Sequence, residues 1–202
     1  MDRKILFVGI GSMLLVALVT VGVLLFGKPE NFRGTTYVEP YPIASDFELV
    51  RDDGISFQLS DQRGDIVLLF FGYTSCPDVC PITLAELNRA LEKLKDDDAA
   101  RVQVVFVTVD PERDTSERVQ EYVNHFNSNF VGLSGTEIEL AKVWNGYGVY
   151  REVVEGTSAA GYLVNHTARV TLIDGDGNLR VSFAFETPVD DIVHDLKLIL
   201  KE

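Results

Sequence analysis

A six-residue apolar run followed closely by two cysteines constrains the fold more than any other part of the chain. Residues 66–71 read IVLLFF, as expected of a strand that is buried on both faces at the centre of a sheet. Cys76 and Cys80 lie in the turn that follows, and a helix is predicted from about Pro81. Its apolar face would carry Leu84, Leu87, Leu91 and Leu94. The sequence therefore predicts a buried strand, a turn with a reactive pair, and a helix, in that order.

Strand and helix signals alternate along the rest of the chain. Further strands are predicted at residues 102–109, 169–173 and 179–185. Two pairs resemble capping boxes that begin helices, Asp114 with Glu117 and Thr136 with Glu139. The first of these helices is expected to run through Phe126, and a last helix is predicted from Pro188. This order predicts an α/β fold of the thioredoxin-like type, a central mixed sheet flanked by helices, with an extra N-terminal hairpin that includes residues 56–59.

An uncharged apolar run near the N-terminus predicts a transmembrane helix. Residues 5–26 would span roughly 33 Å as a helix, enough to cross a bilayer core of about 30 Å. No small-residue cleavage site follows, so an uncleaved anchor is favoured over a signal peptide. The short N-terminus is expected to stay in the cytoplasm, which predicts a single-pass inner-membrane protein with a periplasmic globular part. We divide the chain into a membrane anchor at residues 1–27, a linker at 28–43 and a globular domain at 44–202.

The charge of the chain excludes one class of partner. The formal net charge is −13, so the surface would repel the phosphate backbone of a nucleic acid. Two interpretations of the acidic surface stay open, namely solubility and the attraction of a basic partner.

The two cysteines are suited to redox chemistry or to metal binding. A helix N-terminus offers free amides and a favourable dipole, which stabilise a thiolate at Cys76 or Cys80. Three residues separate them, whereas a thioredoxin-type redox motif has two. Two thiolates suit Cu(I), and with an added imidazole they also suit Cu(II) or Zn(II). The alternative, a structural disulfide closing a small loop, would add little stability to a domain of this size.

One histidine is expected beside the cysteines. His125 and His194 lie on predicted helices, where a solvated histidine is the ordinary interpretation. His166 lies just before a predicted strand, at a corner that is adjacent to the cysteine turn in a thioredoxin-like sheet. Oxidoreductases of that fold usually carry a cis-proline there. A histidine in its place favours metal binding over disulfide exchange, which predicts a metal site formed by Cys76, Cys80 and His166.

Three separated motifs together resemble the Sco/SenC family of copper chaperones for cytochrome c oxidase. They are CPDVCP at residues 76–81, DPERDT at 110–115, and the pair His166-Thr167 leading into VTLID at 170–174. The likeness runs from about Ala44 to the C-terminus. It implies a thioredoxin-like fold and one copper ion, Cu(I) or Cu(II), bound by the residues that match Cys76, Cys80 and His166.

The resemblance also implies a partner and a further residue of interest. The implied role is delivery of copper to the dinuclear copper centre of cytochrome c oxidase subunit II, or reduction of that subunit's cysteines. Asp110, in the family's acidic loop, is implied to influence copper binding or docking; a turn residue before a helix is the alternative interpretation. Family members often carry Asp before the histidine, and Asn165 stands there in this chain, which leaves the ligand set intact.

Three functions compete for the same two sulfurs. The first is a metallochaperone, which needs no turnover. The second is a thiol–disulfide oxidoreductase, in which Cys76 and Cys80 form the catalytic redox pair. The third, a peroxiredoxin-like peroxidase, lacks its usual Pro-x-x-x-Thr-x-x-Cys pattern and ranks last. His166 favours the first.

Overall fold

The computed structural model describes Met13, Val16 and residues 31–158 and 161–202, and the chain divides into two compact units, Met1–Asn31 and Phe32–Glu202. Among these described residues, no helix is both long and apolar enough to cross a bilayer. The anchor predicted at residues 1–27 lies outside the described residues apart from Met13 and Val16. The anchor, the division into domains and the orientation in a membrane therefore stay predictions.

The unit Phe32–Glu202 is built around a mixed sheet of six strands. These are β1 (Thr35–Thr36), β4 (Ile66–Gly72), β5 (Val102–Thr108), β6 (Val131–Leu133), β9 (Arg169–Ile173) and β10 (Leu179–Ala184). Their order in the sheet is β1-β10-β9-β4-β5-β6. β4, β5 and β6 are mutually parallel, whereas β9 runs antiparallel to β4, and β10 antiparallel to β9. Every residue of β4 is buried, because the strand has neighbours on both sides and is apolar throughout.

Two hairpins and five helices complete the described part of this unit. The hairpins pair β2 (Glu48–Val50) with β3 (Ser56–Gln58), and β7 (Arg151–Ser158) with β8 (Gly161–His166). The helices are α1 (Val79–Glu92), α2 (Asp96–Ala99), α3 (Ser116–Asn124), α4 (Glu137–Gly146) and α5 (Val189–Ile199), with a 3-10 turn at Leu59–Gln62. α1 packs against α5, and α3 packs against β5 and β6.

The predicted mixed α/β fold is confirmed, with two local corrections. The capping box of Thr136 and Glu139 begins α4 as expected. At α3 the N-cap is Thr115, whose hydroxyl accepts a hydrogen bond from the amide of Arg118. The prediction of a capping box at Asp114 is therefore wrong. Asp114 instead points inward, toward the cysteine turn. The β7–β8 hairpin is the second difference, because the sequence analysis did not predict it.

Residues 33–43, predicted as part of the linker, contact the domain. β1 pairs with β10, and Ile43 forms a bridge with Asn178. The amides of Arg33 and Gly34 donate to the buried carboxylate of Asp195 on α5. Without these residues β10 would present an unpaired edge, so this segment covers a row of free backbone groups.

Candidate metal centre

The two cysteines lie where β4 passes into α1. Cys80 is in the first turn of α1 and fully buried, whereas Cys76 precedes the helix and is half-buried. The amide of Cys80 donates to the Cys76 sulfur across 3.4 Å, so that sulfur lies against the free amides of the helix N-terminus. Both thiols are free. The helix start thus presents a reactive sulfur at the surface with a second one directly behind it.

A glycine at the end of β4 makes room for the buried sulfur. A Cβ atom on Gly72 would lie 2.8 Å from the Cys80 sulfur and 2.6 Å from a ring carbon of Phe106. Both separations are shorter than the 3.4 Å at which ordinary contact begins. Only a residue without a side chain therefore allows Cys80 to occupy its position.

His166 lies opposite the cysteines, at the end of β8. Its Nε2 is 3.8 Å from the Cys80 sulfur, and its Nδ1 is 3.1 Å from the carbonyl oxygen of Thr167. A carbonyl oxygen can only accept, so Nδ1 carries a proton, and in the neutral ring the lone pair is then on Nε2. The edge of the ring packs on Tyr73, with the ring centroids 5.8 Å apart. In the neutral ring the contact with Thr167 therefore favours the tautomer that leaves Nε2 available to a metal.

The separation of sulfur and nitrogen fits a bound metal. A metal about 2.3 Å from a thiolate and about 2.1 Å from an imidazole nitrogen separates these atoms by about 3.8 Å when the angle is near 120°. The observed distance between Cys80 Sγ and His166 Nε2 is 3.8 Å. Two soft sulfurs and one imidazole form a donor set that suits copper.

The two thiols differ sharply in acidity. A hydrogen bond from the Cys80 thiol, supported by the backbone amides of Asp78 and Cys80, lowers the pKa of Cys76 to about 4, despite partial burial. The same hydrogen bond to Cys76, together with burial, raises the pKa of Cys80 well above its usual range. At neutral pH the pair therefore holds one thiolate, at Cys76, and one thiol, at Cys80.

The structure brings together Cys76, Cys80 and His166 and leaves the other histidines elsewhere. His125 caps the end of α3 with its Nδ1 2.7 Å from the carbonyl oxygen of Glu121, and His194 lies 2.9 Å from the carboxylate of Asp195. Cys80 contacts both of the other candidate ligands, through its amide to the Cys76 sulfur and through its own sulfur to His166. Among the residues that the structure describes, however, no three His, Cys, Asp or Glu side chains have the arrangement of a closed metal site. The ligand set stays a prediction.

Two further candidates from the sequence have informative positions. Asn165 is exposed on β8 and points to the opposite face from its neighbour His166, so its difference from the family's Asp does not reach the ligand. Asp110 is fully buried, and its carboxylate accepts from Tyr162 and Arg113. Any influence of Asp110 on docking must therefore act through these neighbours.

Sequence reasoning missed the side chains that support the cysteine turn, chiefly Thr74, Thr108 and Asp114. Asp114 received the role of a helix cap because two capping residues, Asp and Thr, stand side by side in the chain. That doubling was the available signal, since a helix needs only one cap and the other residue is free for another use.

Comparison with known proteins connects this chain to one family. The SCO1/SenC family model matches residues 35–201. The SCO2-like protein of Rickettsia felis is 32% identical over 194 residues, covering 95% of this chain and 92% of its own length. Among solved structures, apo Sco1 from Thermus thermophilus is 39% identical, with a TM-score of 0.74, over 83% of this chain and 96% of that one.

Two other solved relatives contain copper. ScoI of Bradyrhizobium japonicum with copper bound is 36% identical, with a TM-score of 0.70, over 78% of this chain and 99% of that one. ScoI of Arabidopsis thaliana with copper bound is 35% identical, with a TM-score of 0.73, over 79% and 99%. These likenesses confirm the predicted thioredoxin-like fold, and the chain belongs to the SCO1/SenC family.

Proposed function

We propose that this chain is a membrane-tethered copper metallochaperone that binds one copper ion through Cys76, Cys80 and His166. Its recipient would be the dinuclear copper centre of cytochrome c oxidase subunit II. The observation that carries the proposal is the position of His166, whose Nε2 lies 3.8 Å from the Cys80 sulfur. The copper-bound relatives from Bradyrhizobium japonicum and Arabidopsis thaliana support copper as the metal.

The donor set would serve both oxidation states of copper. Two thiolates are sufficient for Cu(I), whereas Cu(II) gains more from the imidazole. Cys76 is already a thiolate at neutral pH, so binding would displace a proton only from Cys80. The acidic chain, with its net charge of −13, suits a partner that presents basic side chains around its own copper site.

The proposed tether is the apolar segment at residues 5–26, with the globular unit in the periplasm or its equivalent. Protease added to spheroplasts should then digest the globular unit and leave a membrane-embedded fragment. A globular unit that resists the protease until the membrane is lysed would contradict this topology.

A second candidate function, thiol–disulfide exchange, is favoured by the acidity of Cys76. Its thiolate would attack a partner disulfide, forming a mixed disulfide and releasing one partner thiolate. The Cys80 sulfur, after losing its proton, would attack Cys76 in that mixed disulfide and release the second partner thiolate. The partner would be reduced by two electrons, and this chain would end with a Cys76–Cys80 disulfide.

Competitive titration with each copper state tests the leading proposal. Cys76→Ser and Cys80→Ser should abolish tight binding of both states, whereas His166→Ala should weaken Cu(II) more than Cu(I). His125→Ala and His194→Ala are matched controls, because neither side chain contacts the cysteines, and they should change neither affinity. If His166→Ala leaves both affinities unchanged while the variant still reduces a partner disulfide, the oxidoreductase function replaces the chaperone.

A further inference from the structure

The acidic loop at residues 110–114 lies between the two halves of the candidate metal centre. The cysteines belong to the strand–helix junction of the central sheet, whereas His166 belongs to the separate β7–β8 hairpin. A hairpin outside the sheet needs other contacts to fix its position. The backbone hydrogen bonds between β7 and β8 fix the two strands relative to each other but do not fix the hairpin relative to the central sheet.

One end of the loop contacts the cysteine turn through Asp114, which is 1% exposed. Its carboxylate accepts from the amide of Thr74 at 2.9 Å and from the hydroxyl of the same residue at 2.5 Å. The guanidinium of Arg118 also donates to the Thr74 hydroxyl, at 2.9 Å. Thr74 is two residues before Cys76, so these bonds fix the backbone that leads into the first ligand.

The other end of the loop contacts the histidine hairpin through Asp110, which is fully buried. One carboxylate oxygen accepts from the hydroxyl of Tyr162 at 2.7 Å, and the other accepts from Nε of Arg113 at 2.5 Å. Arg113 in turn donates to the Tyr162 carbonyl oxygen at 3.0 Å, and its guanidinium lies 3.7 Å from the centroid of the Tyr162 ring. Tyr162 is four residues before His166 on the same face of β8, because alternate residues of a strand share a face.

Thr108 connects the two ends. Its hydroxyl donates to the Asp114 carboxylate at 2.7 Å and accepts from the Asp110 amide at 2.9 Å. A further bond from Arg151 on β7 to the carbonyl oxygen of Val109 attaches the hairpin to the start of the same loop. Hydrogen bonds thus connect the cysteine turn to the hairpin through the Asp114 carboxylate, the Thr108 hydroxyl, and the amide and carboxylate of Asp110.

We propose that residues 110–114 form a brace that sets the distance between the cysteines and His166. Asp114 holds the cysteine turn, and Asp110 with Arg113 and Tyr162 holds the hairpin. These are positioning residues, and the inference rests on the proposed copper site. Since Cu(II) depends on the imidazole more than Cu(I) does, loosening the hairpin end weakens Cu(II) selectively. Loosening the cysteine end weakens both states.

The test uses variants that remove single hydroxyl groups. Tyr162→Phe deletes the bond to Asp110 but keeps the ring that stacks on Arg113. Its control is Tyr150→Phe, which deletes a surface bond to Glu152 elsewhere on the same hairpin. Thr74→Val deletes one bond to Asp114, and Thr83→Val, which deletes a bond within α1, is its control.

The readouts are competitive titration of Cu(I) and Cu(II), and the hyperfine splitting and thiolate charge-transfer absorption of the Cu(II) form. Tyr162→Phe should weaken Cu(II) by about tenfold, the lower end of what support residues contribute to metal sites, and should change the hyperfine splitting. Its Cu(I) affinity should stay within about twofold of the parent, whereas Thr74→Val should weaken both states. A merely structural role would lower the melting temperature without changing the spectrum.

The brace is overturned if Tyr162→Phe has the same Cu(II) spectrum and the same Cu(II) affinity as Tyr150→Phe. This conclusion requires a parent protein that binds copper and that loses Cu(II) affinity when His166 is replaced by alanine. If the parent itself binds no copper through its cysteines, the proposed function fails first, and the brace fails with it. The parent titration therefore separates the two failures.

Discussion

Replacing Gly72 by alanine should displace the buried sulfur of Cys80, a ligand in the proposed copper site, without removing any group of that site. The added Cβ would lie 2.8 Å from the Cys80 sulfur, which is 0.6 Å short of the 3.4 Å where ordinary contact begins (3.4 − 2.8 = 0.6). The Phe106 ring gives no relief on the other side, because its carbons lie 2.6 and 2.9 Å from the same Cβ and must shift as well, at a fully buried position. The sulfur must therefore move by at least about 0.6 Å, beyond the roughly 0.5 Å that a binding site tolerates.

The expected cost of Gly72→Ala has two parts. Overpacking of the core should lower the free energy of unfolding by about 1–3 kcal/mol. Displacement of the sulfur should weaken copper binding by about tenfold, which corresponds to about 1.4 kcal/mol. Urea denaturation measures the first, and competitive copper titration of the reduced protein measures the second.

Gly34→Ala is the matched control for this experiment. Its Cβ would clash with Val181 and lie 2.9 Å from Phe183, at the β1–β10 edge of the sheet. This control should destabilise the fold comparably and leave copper affinity unchanged. If Gly72→Ala loses stability but binds copper as tightly as the parent, the packing around Gly72 does not fix the position of the sulfur, and the reasoning is wrong.

Two further predictions concern acidity and stability. Because the pKa of Cys76 is lowered to about 4, its thiolate persists as pH falls, so alkylation of the reduced protein at Cys76 should stay fast down to about pH 5 and decline only near pH 4. Mass spectrometry should find the label on Cys76 rather than on buried Cys80, and an inflection above pH 8 would contradict the assignment. Asp195→Asn should lower the free energy of unfolding by about 1–3 kcal/mol, because the amides of Arg33 and Gly34 lose a buried carboxylate acceptor. Asp191→Asn, which breaks only a partly exposed ion pair with Arg33, should cost less than about 1 kcal/mol, and equal melting temperatures for the two variants would refute the distinction.

Elements with strong local signals could be predicted from the sequence. β4 is apolar throughout, and the first helix follows the cysteine turn as expected, although it begins at Val79 rather than Pro81. The helix can begin two residues before the proline because the amides of the first helical turn have no intrahelical acceptor. Proline, which lacks an amide hydrogen, is therefore tolerated at the third position. The capping box of α4 was likewise readable, since both of its partners lie within four residues.

The start of α3 and the β7–β8 hairpin depend on contacts that no local pattern contains. Asp114 and Thr115 are both good capping residues, and the choice falls on Thr115 because Asp114 is engaged by Thr74, which lies forty residues away in the chain. The hairpin strands are partly exposed and lie outside the central sheet, so they lack the continuous apolar run that revealed β4. The hairpin contacts the loop through a hydrogen bond between Tyr162 and Arg113, which are 49 residues apart in the chain.

The chemistry of the residues and the resemblance to a known fold were enough to predict the three candidate ligands. The cysteine pair and its helix are neighbours in the chain, so a local pattern was enough to predict that they lie together. His166 lies 86 residues from Cys80, and the expectation that they meet came from the arrangement of strands in a thioredoxin-like sheet. What the sequence could not provide was the set of side chains that maintain this distance, because each of them connects two distant segments.

Burial decides how any partner must approach the site. Cys80 is fully enclosed behind Cys76 and Gly72, whereas Cys76 and His166 are partly exposed. Copper transfer and disulfide exchange would therefore begin at the same sulfur, Cys76, and would use the same face of the molecule. Mutations on that face would impair both functions alike. The imidazole would differ, because in the proposed site it contributes a ligand to copper but no sulfur to the exchange, so dependence of copper binding on His166 is the property that separates a metallochaperone from an oxidoreductase.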